Sequence, residues 1–146
     1  VTVQKQILAL IRELCRQRNT AVLLITHDLG VVAENADRVA VMYAGRVVEE
    51  GPVAALLAAP AHPYTRGLID SMPDLDREAD RLPSIPGSVP DLANLPAGCA
   101  FAPRCTHADA RCATYVPTWA TFGSTHRARC WKPSKSNSLS SMCCFS

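Results

Sequence analysis

The segment AVLLIT, residues 21–26, restricts the fold more than any other feature, because it is a continuous apolar run of only six residues. A run this short, rich in branched side chains, predicts a central strand of a parallel sheet covered on both faces. The residues before it, from Thr2 to Asn19, carry apolar side chains at spacings of three and four, which predicts an amphipathic helix. A helix followed by such a strand indicates an α/β fold.

The residues after this run continue the pattern of short elements. An isolated histidine, His27, stands at the carboxyl end of the predicted strand, and Asp28 is the expected N-cap of a short helix over residues 29–36. The segments RVAVMY and RVVEE flank Ala44 and Gly45, which predicts a hairpin with a two-residue turn. The segments PVAALLAAP and HPYTRGLIDSM are predicted to be two further short helices.

Composition limits the possible partners and divides the chain. Its 146 residues carry a net charge of +2 with scattered basic residues, so we expect no nucleic-acid partner. No apolar run reaches the length of a membrane span, and the first residues lack the layout of a signal peptide, so a soluble cytoplasmic chain is expected. Five prolines between residues 73 and 96 predict an extended arm laid over a surface. The last fifteen residues contain six serines and are predicted to be disordered.

Seven cysteines cannot all pair internally, and four of them crowd into the proline-rich half at spacings of five, six and seventeen intervening residues: Cys99, Cys105, Cys112 and Cys130. In a reducing compartment this crowding favours a metal site over disulfides. The spacing lacks the C-x2-C pairs of most structural zinc sites, although it leaves zinc ahead when taken alone. Cys15 shares a helix face with apolar residues and is expected to be buried packing.

Three segments together resemble one protein family. LLITHDL resembles the switch-histidine loop of ABC ATPases, VAVMYAGRVVEEGP resembles the strand pair that follows it, and HPYTRGLIDSMP with GCAFAPRC resembles the C-terminal extension of peptide importers. Residues 1–131 thus resemble the C-terminal part of an ABC transporter ATP-binding subunit of the oligopeptide and dipeptide importer branch. The resemblance implies part of a P-loop ATPase domain over residues 1–60, the transporter extension over residues 61–132, and a disordered tail over residues 133–146.

The departures from that family concern the phosphate-binding machinery. The sequence contains no G-x-x-x-x-G-K-[ST] loop, no signature of the LSGGQ type and no acidic Walker B strand end. In the family these elements precede the helix that here begins near Thr2. We therefore interpret the chain as a fragment, or as one piece of a split or decayed gene. We expect it not to hydrolyse ATP alone, because a single histidine cannot replace the charge stabilisation of the missing loop.

The resemblance also assigns roles to individual residues. In the family, the histidine equivalent to His27 reaches the γ-phosphate of ATP; the alternative is that His27 merely caps the strand or the next helix. The four cysteines Cys99, Cys105, Cys112 and Cys130 match four that bind a [4Fe-4S] cluster in several members, with zinc, or unligated or disulfide-bonded cysteine, as alternatives. Nearby arginines either favour thiolates or form an ordinary solvated surface: Arg104, Arg111, Arg127 and Arg129.

The function implied by the resemblance is that of a peptide-importer ATPase subunit, which uses ATP with Mg²⁺ in the complete protein. Its implied partners are a second ATP-binding subunit, identical or homologous, the membrane permease subunits and, indirectly, a substrate-binding protein. It would lie on the cytoplasmic face of the plasma membrane, held there by the permease subunits. The competing hypothesis is a stand-alone iron-sulfur or zinc module with a structural or regulatory role.

Overall fold

A computed structural model describes residues 3–72 and 84–133 of the chain. The chain divides into two compact units, Val1–Asp37 and Arg38–Ser146. The predicted cap Thr2, most of the first half of the predicted arm, and the predicted disordered tail with Cys143 and Cys144 lie outside the described residues. The predicted segment boundary after residue 60 follows the family resemblance and stays a prediction.

The first unit contains two helices, α1 (Val3–Arg18) and α2 (Leu29–Asn35). Asn19 follows α1 with a positive φ of 49°, a conformation that asparagine tolerates and that ends helices. The guanidinium of Arg12 donates hydrogen bonds to the carbonyl of Glu34 and to Oδ1 of Asn35, the latter at 2.5 Å. Both predicted helices are therefore present, and polar side chains join them.

Residues 21–26 do not form the predicted strand. Nothing in the described part of the chain pairs with them, and Leu23 and Ile25 are 89% and 88% exposed. The apolar side chains of this run favour burial. A parallel strand, however, forms only where neighbouring strands are hydrogen-bonded to its backbone. The prediction of a parallel sheet is thus wrong for the described residues. Cys15, expected to be buried, is half-buried.

The second unit is built on an antiparallel sheet. Strands β1 (Arg38–Tyr43) and β2 (Arg46–Pro52) form the predicted hairpin. Ala44 and Gly45 both have positive φ, 47° and 76°, as a two-residue type I′ turn requires. Two short strands, β3 (Ala120–Phe122) and β4 (His126–Ala128), extend the sheet in the order β1-β2-β4-β3. The sequence analysis missed β3 and β4, which have three residues each and show no periodicity.

Three α-helices complete the described part of this unit: α3 (Val53–Ala58), α4 (Pro63–Asp70) and α5 (Ala110–Thr114). The helices predicted in PVAALLAAP and HPYTRGLIDSM correspond to α3 and α4. Proline is favourable at the first position of α4, because the N–H group that it lacks would be unpaired there. None of the helices in the described ranges is long and apolar enough to cross a membrane.

The core of the second unit lies between the hairpin, α3 and the loop that contains Phe101. Its buried members are Val41, Tyr43, Val48, Leu56 and Phe101. The Tyr43 and Phe101 rings meet edge to face, with centroids 5.2 Å apart. This contact anchors the cysteine-containing loop on the hairpin and so determines where the candidate site lies.

The part of the predicted arm that the structure describes, residues 84–98, contains no helix or strand. Ile85 packs against the core, and the guanidinium of Arg104 donates hydrogen bonds to the carbonyls of Ile85 and Pro86 at 2.9 and 2.8 Å. The described part of the arm is thus irregular, with a turn between Asp91 and Asn94, and Ile85 and Arg104 hold it to the core.

Candidate functional site

The structure brings the four cysteines of the proline-rich half together. Cys99, Cys105, Cys112 and Cys130 all line one small cavity of about 20 Å³. All four thiols are free of disulfides. In residues 3–72 and 84–133, no group of three or more histidine, cysteine or acidic side chains is arranged to hold a single metal ion. That these cysteines bind a metal stays a prediction.

Backbone and side-chain bonds tie the segments that carry the cysteines to one another. The N–H of Cys99 donates to the carbonyl of Cys112 at 2.8 Å. Asp109 caps α5 by accepting from the N–H of Cys112 at 3.1 Å, and it forms an ion pair of 2.9 Å with Lys132. Because Lys132 lies two residues after Cys130, these contacts link three of the four cysteines without any metal.

A backbone N–H group donates to one of the four sulfurs. The N–H of Lys132 donates to Sγ of Cys130 at 3.3 Å. Cys99 and Cys105 each begin a tight turn, in which the N–H groups of Ala102 and Ala108 donate to the cysteine carbonyls at 2.9 and 3.2 Å. A donor such as that of Lys132 stabilises sulfur that carries negative charge, as it does in a thiolate bound to a metal.

Burial works against the thiolates while no metal is bound. Removal from water raises the pKa of the Cys130 thiol to about 11, and it also raises the pKa of Cys99 and of Cys105. Burial therefore outweighs the nearby backbone N–H groups, which act in the opposite direction. These three thiols are protonated at neutral pH, so their binding to a metal would release protons.

The arginines near the cysteines are engaged in contacts with other groups. None of them is among the causes that shift the pKa values of Cys99, Cys105 and Cys130. Arg104 bonds the arm, and the other three guanidinium groups lie over tryptophan rings: Arg111 at 3.6 Å from the centre of Trp131, and Arg127 and Arg129 each at 4.6 Å from that of Trp119. These contacts agree with an ordinary surface role for the arginines, and the expectation that they favour thiolates stays a prediction.

A buried carboxylate lies beside the site. Glu49, on β2, is 0% exposed and accepts three hydrogen bonds: from Ala61 N–H at 2.7 Å, from His62 N–H at 2.9 Å and from Nε2 of His126 at 2.7 Å. It joins β2, β4 and the start of α4. The sequence analysis missed it, although adjacent residues of a strand face opposite sides, so one member of the pair Glu49 and Glu50 had to point inward.

His62 connects this carboxylate to the cysteine cavity. The ring is buried, and Nδ1 accepts from the N–H of Tyr64 at 3.1 Å, which caps α4. Burial lowers the pKa of His62 to about 4, and the nearby charge of Glu49 opposes this shift only in part. His62 is therefore neutral at physiological pH. The ring of His62 therefore caps α4 and also lines the cysteine cavity.

His27 lies in the first unit, after the exposed apolar run. Its side chain is exposed, and no described residue is hydrogen-bonded to its ring. Asp28 has the predicted capping role, since its Oδ1 accepts from the N–H groups of Gly30 and Val31 at 2.8 and 3.1 Å. Asp28 therefore caps α2, and the alternative that His27 does so is not realised.

Gly98 makes the close approach between the Cys99 segment and α5 possible. A Cβ at this position would lie 2.6 Å from the carbonyl carbon of Ala113 and still closer to the carbonyl oxygen of Cys112. We expect Gly98→Ala to lower the free energy of unfolding by about 1–3 kcal/mol, because backbone atoms must move. Urea denaturation measures this, with Ala97→Ser at the exposed neighbour as control. Equal stability of the two variants would contradict the prediction.

Comparison with known proteins identifies relatives of the chain. Residues 48–112 match the family described as the oligopeptide/dipeptide transporter, C-terminal region. The chain is 53% identical over 131 residues to the oligopeptide transport ATP-binding protein AppD of Bacillus subtilis, a match that covers 90% of the chain and 40% of that protein. It is 51% identical over 136 residues to a peptide import ATP-binding protein of Brucella ovis, covering 89% of the chain and 40% of the relative.

A further peptide import ATP-binding protein, of Brucella abortus, is 52% identical over 123 residues, covering 84% of the chain and 37% of the relative. The chain thus spans about two fifths of the length of the curated relatives that it matches. The similarity to these relatives extends well beyond residues 48–112, which match the family. Residues 48–112 thus carry the oligopeptide/dipeptide transporter C-terminal region, and about nine tenths of the chain is similar to part of peptide transport ATP-binding proteins.

Proposed function

We propose that the chain supplies the C-terminal part of the ATP-binding subunit of an ABC importer for oligopeptides or dipeptides. The observation that carries the proposal is an identity of about one half, over about nine tenths of the chain, with proteins named for oligopeptide transport and peptide import. In the complete protein, ATP with Mg²⁺ would be hydrolysed by a pair of such subunits. Membrane permease subunits would hold them at the cytoplasmic face of the membrane.

His27 is the residue of this chain that we assign to the ATPase reaction. Its exposed ring has no hydrogen-bond partner in the described residues, so it is available to a ligand. Asp28, by capping α2, orients the backbone on the carboxyl side of His27. A histidine there would contact the γ-phosphate and help to align the attacking water, while another segment binds the rest of the triphosphate.

A chimera tests both statements. Residues 1–131 replace the corresponding segment of the Bacillus subtilis relative, and ATPase activity and peptide uptake are measured with the partner subunits of that relative. We expect the chimera to be active, and His27→Ala in it to lower kcat by about 100-fold or more, because the alignment of the water is lost. Asp28→Asn is the matched control, since asparagine also caps helices and kcat should change little.

Two outcomes would contradict the proposal in different ways. An assembled chimera without ATPase activity would argue against an importer role for this chain. An active chimera in which His27→Ala has no effect on kcat would remove His27 from the reaction while leaving the importer role in place.

We further propose that Cys99, Cys105, Cys112 and Cys130 hold a [4Fe-4S] cluster. The support is a shared cavity lined by four thiols that are free of disulfides, with a backbone N–H donor to the sulfur of Cys130, together with the resemblance of this segment to the transporter extension. When bound, the cluster would supply a four-point cross-link and a redox couple. The cavity is small, so the thiols must move apart to admit a cluster.

Zinc is the alternative metal. Four cysteines could also bind one zinc ion, with Zn–S distances of about 2.3 Å. The resemblance of this segment to the transporter extension is what favours the cluster, and metal analysis of the purified chain distinguishes the two.

A stand-alone metal module is the second candidate function. The observation in its favour is that the unit beginning at Arg38 has its own core and contains all four cysteines of the cavity. This candidate predicts a chain that loads metal normally while the chimera has no ATPase activity. The importer proposal predicts both metal loading and an active chimera.

A further inference from the structure

We infer that the exposed face of the four-stranded sheet is an interaction surface for an acidic segment of a partner protein, and that Arg129 binds a carboxylate of that segment over the ring of Trp119. The inference goes beyond the proposed importer role and does not depend on a metal at the cysteine cavity. It gives a role to a pair of arginines, Arg127 and Arg129, that neither of those proposals uses.

Alternation along the last strand places Arg127 and Arg129 on the same side of the sheet. Arg127 is exposed and lies between two buried residues of β4, so this side is the one that faces solvent. The N–H of Arg129 donates to the carbonyl of Val48 at 2.7 Å, which continues the pairing with β2 beyond the end of β4. The two arginines therefore lie on the exposed face of the sheet.

The ring of Trp119 holds both guanidinium groups. Each guanidinium carbon lies 4.6 Å from the centre of the ring. A contact of this kind restricts the orientation of a guanidinium group before a partner arrives, which reduces the entropy that is lost on binding. Tryptophan and arginine are also among the residue types enriched at the energetic centres of protein interfaces.

The two arginines differ in whether the chain supplies an acceptor. Nε of Arg127 donates to Oε1 of Glu50 at 2.9 Å. Nε of Arg129 is buried and has no hydrogen-bond partner among the described residues, and none of the ion pairs found in that part of the chain involves Arg129. The side chain as a whole is half-buried, so solvent and a partner can reach the guanidinium group. A partner's carboxylate would give Arg129 the contact that Glu50 gives Arg127.

The charge of this face also indicates an anionic partner. Ala40 on β1 pairs with Glu50, and Glu50 pairs with Arg127. Arg38, two residues before Ala40, therefore lies on the same face and is exposed. The other acidic residue of the four strands, Glu49, is buried. Three arginines thus share this face with one glutamate, and a carboxylate from a partner would complement the excess positive charge.

Met42 makes a protein segment the occupant that fits best. It lies two residues after Ala40 on β1 and is 58% exposed. Its flexible thioether can adapt to the side chains of a partner. A free phosphate or a lipid headgroup would use the arginines but not this apolar contact. The face therefore suits a peptide segment that carries both acidic and apolar side chains.

An NMR titration of the full 146-residue chain tests the inference. The chain has two tryptophans, so the indole N–H signal of Trp119 reports binding at this face and that of Trp131 is an internal comparison. The probe is a short soluble peptide of alternating glutamate and alanine, and the control peptide has glutamine in place of glutamate. We expect saturable shifts of the Trp119 signal with the glutamate peptide, which weaken as salt is added.

Substitutions locate the binding group. Arg129→Gln should weaken binding of the glutamate peptide about tenfold, because a hydrogen bond between charged groups is lost. Arg129→Lys should weaken it less, since it keeps the charge but not the planar donor pair. Arg46→Gln is the matched control: it removes the same charge from an exposed position of β2 beside the hairpin turn, and it should change the affinity by less than about twofold.

Several results would overturn the inference. These are a Trp119 signal that does not shift, an equal response to the two peptides, or equal weakening by Arg129→Gln and Arg46→Gln. Binding of phosphatidylglycerol vesicles in place of the peptide would assign the face to a membrane surface and would also overturn it. If Arg129→Gln folds poorly, the wild-type titration with the two peptides decides by itself.

Discussion

Replacement of any one of Cys99, Cys105, Cys112 or Cys130 by serine is expected to abolish cluster incorporation and to loosen the whole region of residues 96–131. Four thiolates on one cluster close three loops at once, so the free energy of metal binding becomes free energy of folding for this region. Few side chains of the region are buried otherwise, among them Phe101, Cys112 and Ala128. This apolar area is small against a backbone ordering cost of about 1–2 kcal/mol per residue.

Iron and sulfide analysis after anaerobic purification, with an absorption spectrum, measures the first effect, and amide hydrogen exchange measures the second. The loaded chain should show a broad band near ~400 nm and about four irons. Cys15→Ser is the matched control, since Cys15 lies in the other compact unit and should leave both readouts unchanged. Cys143→Ser and Cys144→Ser should likewise have no effect.

Two results would change the assignment of the metal. Stoichiometric zinc in place of iron would establish a structural zinc site instead of a cluster. Metal-free protein whose thiols all titrate freely would end the hypothesis of a metal site, and the four cysteines would then be packing around a small cavity.

Glu49→Gln is expected to lower the free energy of unfolding by about 3 kcal/mol, the second large effect. The buried carboxylate accepts from two backbone N–H groups and from His126, and each of its oxygens is used. Glutamine keeps the shape but replaces one acceptor oxygen by an NH₂ group, which would face a donor. An unpaired buried donor costs about 1–3 kcal/mol, and the loss of one partner from a buried pair costs about 3–5 kcal/mol.

Urea denaturation of the two variants Glu49→Gln and Glu50→Gln gives a matched comparison on adjacent positions of β2. Glu50 forms an ion pair of 2.9 Å with Arg127 at a partly exposed site, so its loss should cost less than about 1 kcal/mol. Equal destabilisation by the two substitutions would show that the carboxylate of Glu49 is not the junction between β2, β4 and α4 that its contacts indicate.

Patterns among residues close in sequence correctly predicted the cap of α2 and the turn of the hairpin. Asp28 caps α2 because its side chain bonds N–H groups two and three residues ahead, and Ala44 and Gly45 form a tight turn because the flanking strands leave only two residues between them. Pro52, just before α3, and Pro63, the first residue of α4, act through their own ring geometry. Each of these features depends on residues close in sequence, so the amino-acid order is sufficient to specify it.

The strand predicted over residues 21–26 shows the limit of that reasoning. Because its side chains are apolar, the segment is removed from water wherever another surface covers it. Whether it becomes a strand depends on backbone partners, and none of the described residues supplies them. Strands β3 and β4 show the converse, because their sequences carry little strand signal of their own. They form by pairing: β4 pairs with Glu49 and Glu50 of β2, and β3 pairs with β4.

The sequence by itself determined the residue types of the candidate site and, through the family resemblance, grouped Cys99, Cys105, Cys112 and Cys130. Only the tertiary structure decided that these four line one cavity, that Glu49 is buried among donors, and that Nδ1 of His62 accepts from the N–H of Tyr64. The physical reason is distance along the chain: Glu49 and His126 are 77 residues apart, and such contacts form only once the hairpin, α4 and the cysteine loop share a core.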